Sequence, residues 1–219
     1  MGDVVGVVLA AGSSRRMGHP KQLLPLGSST VLARSVAAAE ASTLDRVLVV
    51  VPRDAPEVAE RVAPGRAELV AVDHDPASAN VEGAGAHSGH AGCSSSLQTG
   101  LALVDEHDVD ALVLLLGDMP TLSSAVIDQV TAAWRDRPTW AAVASYRDGV
   151  GHPFVFSADS FASLRELHGD KAVWKIVERE PEQRVRRIAI DEPLPPDVDT
   201  WDDYLEICGQ LGVAPTRRP

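Results

Sequence analysis

The sequence predicts an α/β fold: a single doubly wound, mostly parallel sheet. Three observations carry this. Apolar, β-branched runs recur through all 219 residues, with helical segments between them. The strongest runs are apolar on both faces, as in strands covered by helices on each side. Polar, Gly-containing turns follow those runs, and doubly wound sheets bind ligands beyond the carboxyl ends of their strands.

The elements are read in order. Residues 4–10 are a buried strand that stops at Ala11-Gly12-Ser13-Ser14. Residues 30–42 are Ala-rich and helical. Val47 to Val51 is a second buried strand closed by Pro52, followed by a short helix near 54–62 and a strand near 68–72. Residues 73–93, with five Ala, four Gly and three His, read as a long loop. A helix is expected from Ser94, with Ser95 and Gln98 in capping-box spacing. Ala111 to Leu116 is a third buried strand, stopped by Gly117-Asp118-Met119-Pro120. A helix near 123–135, strands near 140–145 and 152–156, helices near 159–167 and 170–179, a strand near 185–190 and a terminal helix near 201–211 follow. The domain is expected over 1–212, with 213–219 as a frayed tail.

The formal charge is −11, from 20 basic and 31 acidic residues spread over both halves. No basic footprint for sequence-independent nucleic-acid binding exists. No apolar stretch is long enough for a membrane span. Two cysteines, Cys93 and Cys208, suit a reducing cytosol, and an acidic start argues against a signal peptide, so a cytoplasmic protein is expected.

Against that acidic background, Leu9 to Lys21 stands out. It follows a strand, is rich in small residues, and holds Arg15, Arg16 and Lys21. Close backbone approach plus cations is the chemistry of a polyphosphate cradle, with an ordinary solvated basic loop as the alternative. The spacing matches neither the P-loop nor the dinucleotide fingerprint. Asp118 directly follows a buried strand and needs a cation or solvent. Mg²⁺, which takes one or two carboxylates plus phosphate oxygens, would suit it. Residues 112–134 hold no basic side chain, so that cation must come from elsewhere in the fold. Asp199 in Asp197-Val198-Asp199-Thr200 is a second candidate, with helix capping as its other reading. His87, His90 and Cys93 are spaced as soft-metal ligands within a Gly/Ala-rich stretch that offers no evident fourth ligand.

Leu9-Ala10-Ala11-Gly12-x-Ser14-x-Arg16-Met17-Gly18-x-x-Lys21 resembles the signature loop of the MobA-like nucleoside-triphosphate transferases of the molybdenum-cofactor type. The resemblance continues through Leu23 to Leu26, Ser94 to Leu97, Gly117 to Pro120, Gly151-His152-Pro153, Gly169-Asp170-Lys171 and Asp197 to Thr200. Ala10-Ala11-Gly12 and the Ser94-Ser95-Ser96 run are more similar to its cytidylyltransferase branch. The chain departs from the family pattern at Ala172-Val173-Trp174, where an Arg is usual, and in a longer stretch before Ser94.

The resemblance implies a Rossmann-like fold and Mg²⁺-dependent transfer of CMP from CTP to the phosphate of a molybdopterin-type acceptor. Pyrophosphate is released, and a molybdenum hydroxylase would be the client. It further implies nucleotide contacts from Leu9, Ala10, Ala11, Gly12, Ser14, Arg16, Lys21, Ser94, Ser95 and Ser96. Arg16, Lys21 and Asp118 would be catalytic, and Asp118 with Asp199 would hold the metal. Gly151, His152, Pro153, Asp170 and Lys171 would face the acceptor. Arg16 and Lys21 are expected to face solvent until nucleotide arrives. Two alternatives stay open: a related transferase using GTP or another phosphate acceptor, and a catalytically silent nucleotide-binding partner of a molybdenum enzyme.

Overall fold

The structure, a computed structural model, describes residues 2–12, 14, 17–62, 65–73, 91–105, 109–167 and 172–218. A seven-stranded sheet organises them. Strand β1 (Asp3–Leu9) leads through a one-turn 3-10 helix (Lys21–Leu23) and a small hairpin of β2 (Pro25–Leu26) and β3 (Ser29–Thr30) into α1 (Val31–Glu40). Next come β4 (Arg46–Pro52), α2 (Pro56–Glu60), β5 (Glu68–Val72) and α3 (Ala91–Asp105). The second half runs through β6 (Val109–Leu116), α4 (Ser124–Asp136), β7 (Ala141–Ser145), β8 (Val150–Ser157), α5 (Phe161–Arg165), α6 (Ala172–Arg179), β9 (Val185–Ala189) and α7 (Trp201–Leu211).

The sheet order is β5-β4-β1-β6-β8-β7-β9. Among the described strands of this sheet, only β8 runs against its neighbours, pairing antiparallel with both β6 and β7. The cause is local. The turn from β7 to β8 is closed by the Tyr146 N–H donating to the Gly149 carbonyl at 2.7 Å, and so short a link allows only a hairpin. Parallel pairing elsewhere is made by helical crossovers.

Alternation along β1 sends Val4 and Val8 to one face and Val5, Val7 and Leu9 to the other. The first face packs against α1, α2 and α4; the second packs against α3, α5 and α6. A third cluster joins Met17, Leu24, Leu26 and Val31 to Val198, Trp201, Tyr204 and Ile207. It fastens α7 to the β2–β3 hairpin.

Three helix starts follow side-chain caps. Thr30 Oγ1 accepts from the Ala33 N–H and Ser123 Oγ from the Val126 N–H. Thr200 and Asp203 form the reciprocal capping box of α7, which ends at Gly212 with φ 64°. The expected start of α3 is corrected. Its helix already runs from Ala91, so Ser95 is not the cap. The Gln98 side chain instead donates to the Leu164 carbonyl at 2.9 Å, tying α3 to α5. Residues 213–216 are held at two points, Val213 N–H to Cys208 O and Thr216 N–H to Tyr204 Oη. Among the described residues, no helix is long and apolar enough to cross a membrane.

Candidate active site

Chain direction creates a crevice at one place. From β1 the chain moves to β4 on one side; from β6 it moves to β7 and β8 on the other. The carboxyl ends of β1 and β6 are therefore adjacent strand ends with diverging loops, the switch point where doubly wound sheets bind ligands. The loop after Leu9 and the turn after Leu116 meet there. The Gly117 N–H donates to Leu9 O at 2.9 Å. A Cβ on Gly117 would sit 3.0 Å from Ala10 Cβ and 3.1 Å from Leu9 O, so a side chain there would push the two strand ends apart by a few tenths of an ångström.

Lys21 and Asp118 meet across the crevice. Lys21 Nζ lies 2.6 Å from Asp118 Oδ2 and 2.9 Å from Asp199 Oδ1. This is the cation that Asp118 requires, supplied from 97 residues away in sequence (118 − 21). The expectation that Lys21 faces solvent is corrected: the residue is 8% exposed and locked between two carboxylates. Burial opposes the ammonium charge, but the field and hydrogen bond of Asp118, joined by those of Asp199, outweigh it and hold Lys21 well above the ordinary lysine range.

Asp199 is freed from capping duty because Thr200 and Asp203 perform it. The Val198 N–H donates to the Asp118 carbonyl at 3.0 Å, fixing the two acidic turns against each other. Asp197 sits in the same field. Burial, then the charges of Asp118 and Asp199, push its carboxyl up.

Asp118 Oδ1 is buried and finds no hydrogen-bond partner among the described residues. A buried acceptor without a donor suits a cation. No cluster of three or more His, Cys, Asp or Glu converges as a metal site among the described residues. Two carboxylates completed by phosphate oxygens still match what Mg²⁺ takes.

The other predicted residues fall as follows. Leu9, Ala10 and Ala11 are buried at the end of β1, Gly12 is exposed, and Ser14 is half-buried with φ 47°. Ser94 to Ser96 lie in the first turns of α3, the end of that crossover nearest the carboxyl edge, and Ser96 is buried. The side chains of Ser94, Ser95 and Cys93 lie outside the described residues, as do Arg16, His87, His90, Asp170 and Lys171. Gly151, His152 and Pro153 are buried in β8.

His152 points at the same strand end. Its Nδ1 is 3.1 Å from the Leu114 carbonyl, which can only accept, so Nδ1 carries the proton. The ring stacks on Phe154, with centroids 4.4 Å apart. Burial lowers its pKa, partly countered by the Leu114 bond and by Asp118. Half-buried Trp174 packs perpendicular to Phe154, with ring centroids 5.0 Å apart.

Sequence reasoning missed Gln22, which is 4% exposed and bonded to Ala10 O, Gly12 O and Ser14. The available signal was one amide residue at the head of the otherwise apolar run 22–26.

The MobA-like NTP transferase domain matches residues 6–185. The chain belongs to the MobA-like NTP transferase family. It is thus a MobA-like nucleotidyltransferase. The chain is 31% identical to the purine catabolism protein PucB of Bacillus subtilis over 180 residues, 80% of each chain. It is 35% identical to the molybdenum cofactor guanylyltransferase of Mesorhizobium japonicum, over 69% of this chain and 64% of that one. Among solved structures it is similar to the Rv0371c homolog of Mycobacterium sp. strain JC1, with TM-score 0.80, 42% identity and coverage of 95% and 96%. A manganese complex of Rv0371c from Mycobacterium tuberculosis gives TM-score 0.76 at 36% identity, with coverage of 95% and 98%.

Proposed function

We propose that this protein transfers CMP from CTP to the phosphate of a molybdopterin-type acceptor. An acceptor phosphate oxygen forms the new bond to the α-phosphorus, and the bond to the bridging oxygen breaks to release pyrophosphate. The observation that carries the reading is the meeting of Lys21, Asp118 and Asp199 at the β1–β6 switch point. Such a transfer needs little covalent help, so positioning and charge neutralisation dominate. Phosphate nucleophiles need no general base at neutral pH, in keeping with a neutral, buried His152.

In this reading Ala10, Ala11 and Gly12 bring backbone close to the triphosphate. Lys21, with Arg16, holds charge developing on the leaving pyrophosphate. Mg²⁺, held by Asp118 and Asp199, would neutralise the triphosphate. The manganese complex of Rv0371c supports a divalent ion in this kind of chain. Ser94 to Ser96 flank the base, and Gly151, His152, Pro153, Asp170 and Lys171 face the acceptor, which a molybdenum hydroxylase would then use.

Ala10-Ala11-Gly12 and the serine run favour CTP. The Mesorhizobium japonicum guanylyltransferase, at 35% identity, favours a second reading with GTP. Pyrophosphate release from CTP and GTP, measured over a panel of acceptor phosphates, separates the two. CTP should be preferred at least about tenfold in kcat/KM, ~1.4 kcal/mol. A better rate with GTP overturns the choice of base. Asp118→Asn keeps shape but removes charge, and should cost on the order of a hundredfold in turnover, ~3 kcal/mol. Asp199→Asn should cost less. Parental turnover of Asp118→Asn at the parental Mg²⁺ optimum would overturn the mechanism.

A further inference from the structure

We infer that Gln22 is a positioning residue that sets the signature loop for the triphosphate. The inference rests on the nucleotidyl-transfer reading of the site and names a residue outside both the Leu9–Lys21 motif and the charged cluster.

Gln22 opens the run that follows the loop and is almost completely buried. Its Nε2 donates to Ala10 O at 2.9 Å and to Gly12 O at 2.8 Å, which uses both amide hydrogens. Backbone carbonyls can only accept, so the orientation of the amide is fixed. Its Oε1 accepts from the Ser14 hydroxyl at 3.2 Å. Ser14 Oγ in turn accepts from the Lys21 N–H at 2.9 Å. The loop is therefore wrapped on one side chain, from its first carbonyl to the backbone of its cation.

The consequence for phosphate binding follows from peptide geometry. In a planar trans peptide the N–H points opposite to the carbonyl. With Ala10 O held inward on Gln22, the Ala11 N–H is directed away from Gln22. The preceding Leu9–Ala10 peptide is anchored on both sides, its Ala10 N–H on Val50 O at 2.9 Å and its Leu9 carbonyl on the Gly117 N–H at 2.9 Å, so the Gln22 bond to Ala10 O sets the rotation of the Ala10–Ala11 peptide from a fixed base. Gly12, which is exposed, has no heavy atom within 4 Å of where a Cβ would stand. Gln22 thus holds the inner carbonyls so that the outer side of the loop presents donors to an anion. A hydrophobic residue of the same length would take the donor from the buried Ala10 carbonyl and from the partly buried Gly12 carbonyl. A carboxylate would set oxygen against oxygen.

Calorimetric titration with CTP, GTP and inorganic tripolyphosphate, each with Mg²⁺, tests this in the full chain. Gln22→Met should weaken all three by a similar factor, about tenfold or more, because the loop grips phosphate and not base. Gln22→Glu should bind weakly at about pH 8 and recover severalfold towards about pH 5, where the introduced carboxyl regains a donor hydrogen. The parent should show no such recovery. Ser14→Ala removes only the hydroxyl link and should weaken binding about threefold, which keeps the inference testable if the Gln22 variants do not fold. Gln22→Met within about twofold of the parent overturns it, as does a loss confined to one nucleotide with tripolyphosphate unchanged. A folded parent that binds none of the three phosphates would instead overturn the reading of the site.

Discussion

Lys21 carries the site because its burial and its partners act together. An ammonium that is 8% exposed keeps its proton only because two carboxylates face it. His152 shows the opposite balance: burial dominates and keeps the imidazole neutral. Its folded pKa lies below the ordinary 6.5, so the folded state binds fewer protons than the unfolded chain as pH falls through that value. The stabilisation is fully present above 6.5 and is lost on acidification below it. Parent stability should therefore fall more steeply than that of His152→Gln below that pH, by at most one proton's worth, about 1.4 kcal/mol per pH unit. Urea unfolding of both proteins across the acid range checks this. Parallel curves would show that His152 binds its proton equally in both states.

At the scale of elements, the site depends on how closely β6 ends against β1. Gly117 has Leu32 Cδ1, Ala10 Cβ and Leu9 O at 2.9, 3.0 and 3.1 Å from an ideal Cβ position. Leu32 Cδ1 can move, but the Leu9 backbone belongs to a paired strand and cannot. Gly117→Ala should destabilise by ~1–3 kcal/mol and also reduce turnover, because Asp118 is the next residue on the displaced strand end. Thermal unfolding and pyrophosphate release on the same sample measure both. An unchanged rate in a destabilised protein would separate strand packing from the placement of Asp118. The β7–β8 hairpin acts at the same scale, bringing His152 beside Leu114 in the register Phe154 to Leu114.

Across the whole molecule, one small cluster positions both halves of the ion triad. Met17, Leu24, Leu26 and Val31 flank Lys21, while Val198 and Trp201 flank Asp199, and all pack together. Tyr204 is their fastener. Its hydroxyl donates to Pro25 O at 2.8 Å and accepts from the Thr216 N–H at 2.9 Å. Tyr204→Phe should lower stability by ~1–3 kcal/mol by leaving both groups without a partner, and should weaken CTP binding through the shared cluster. Denaturation midpoints and nucleotide titration read the two effects. Full stability of the variant would mean that water replaces the hydroxyl at both partners.

Strand positions, the loop after β1 and the turn at Gly117-Asp118 were legible in the sequence, because apolar periodicity and strand-stopping residues are local properties. The cap of α7 was legible only in part: capping was read from the Asp197–Thr200 segment as the alternative for Asp199, and the structure gives it to Thr200 with Asp203. The start of α3 was not legible, because its serines look like a cap whichever side of the helix start they fall on. The partner of Asp118 could be demanded from the sequence but not named: Lys21 reaches it, and Asp199 across 178 residues, only once the sheet order is set. The burial of Lys21 and the hold of Gln22 on the loop were likewise decided by tertiary structure. Both depend on which side of a turn faces the core, and that is fixed by packing between segments rather than by residue type.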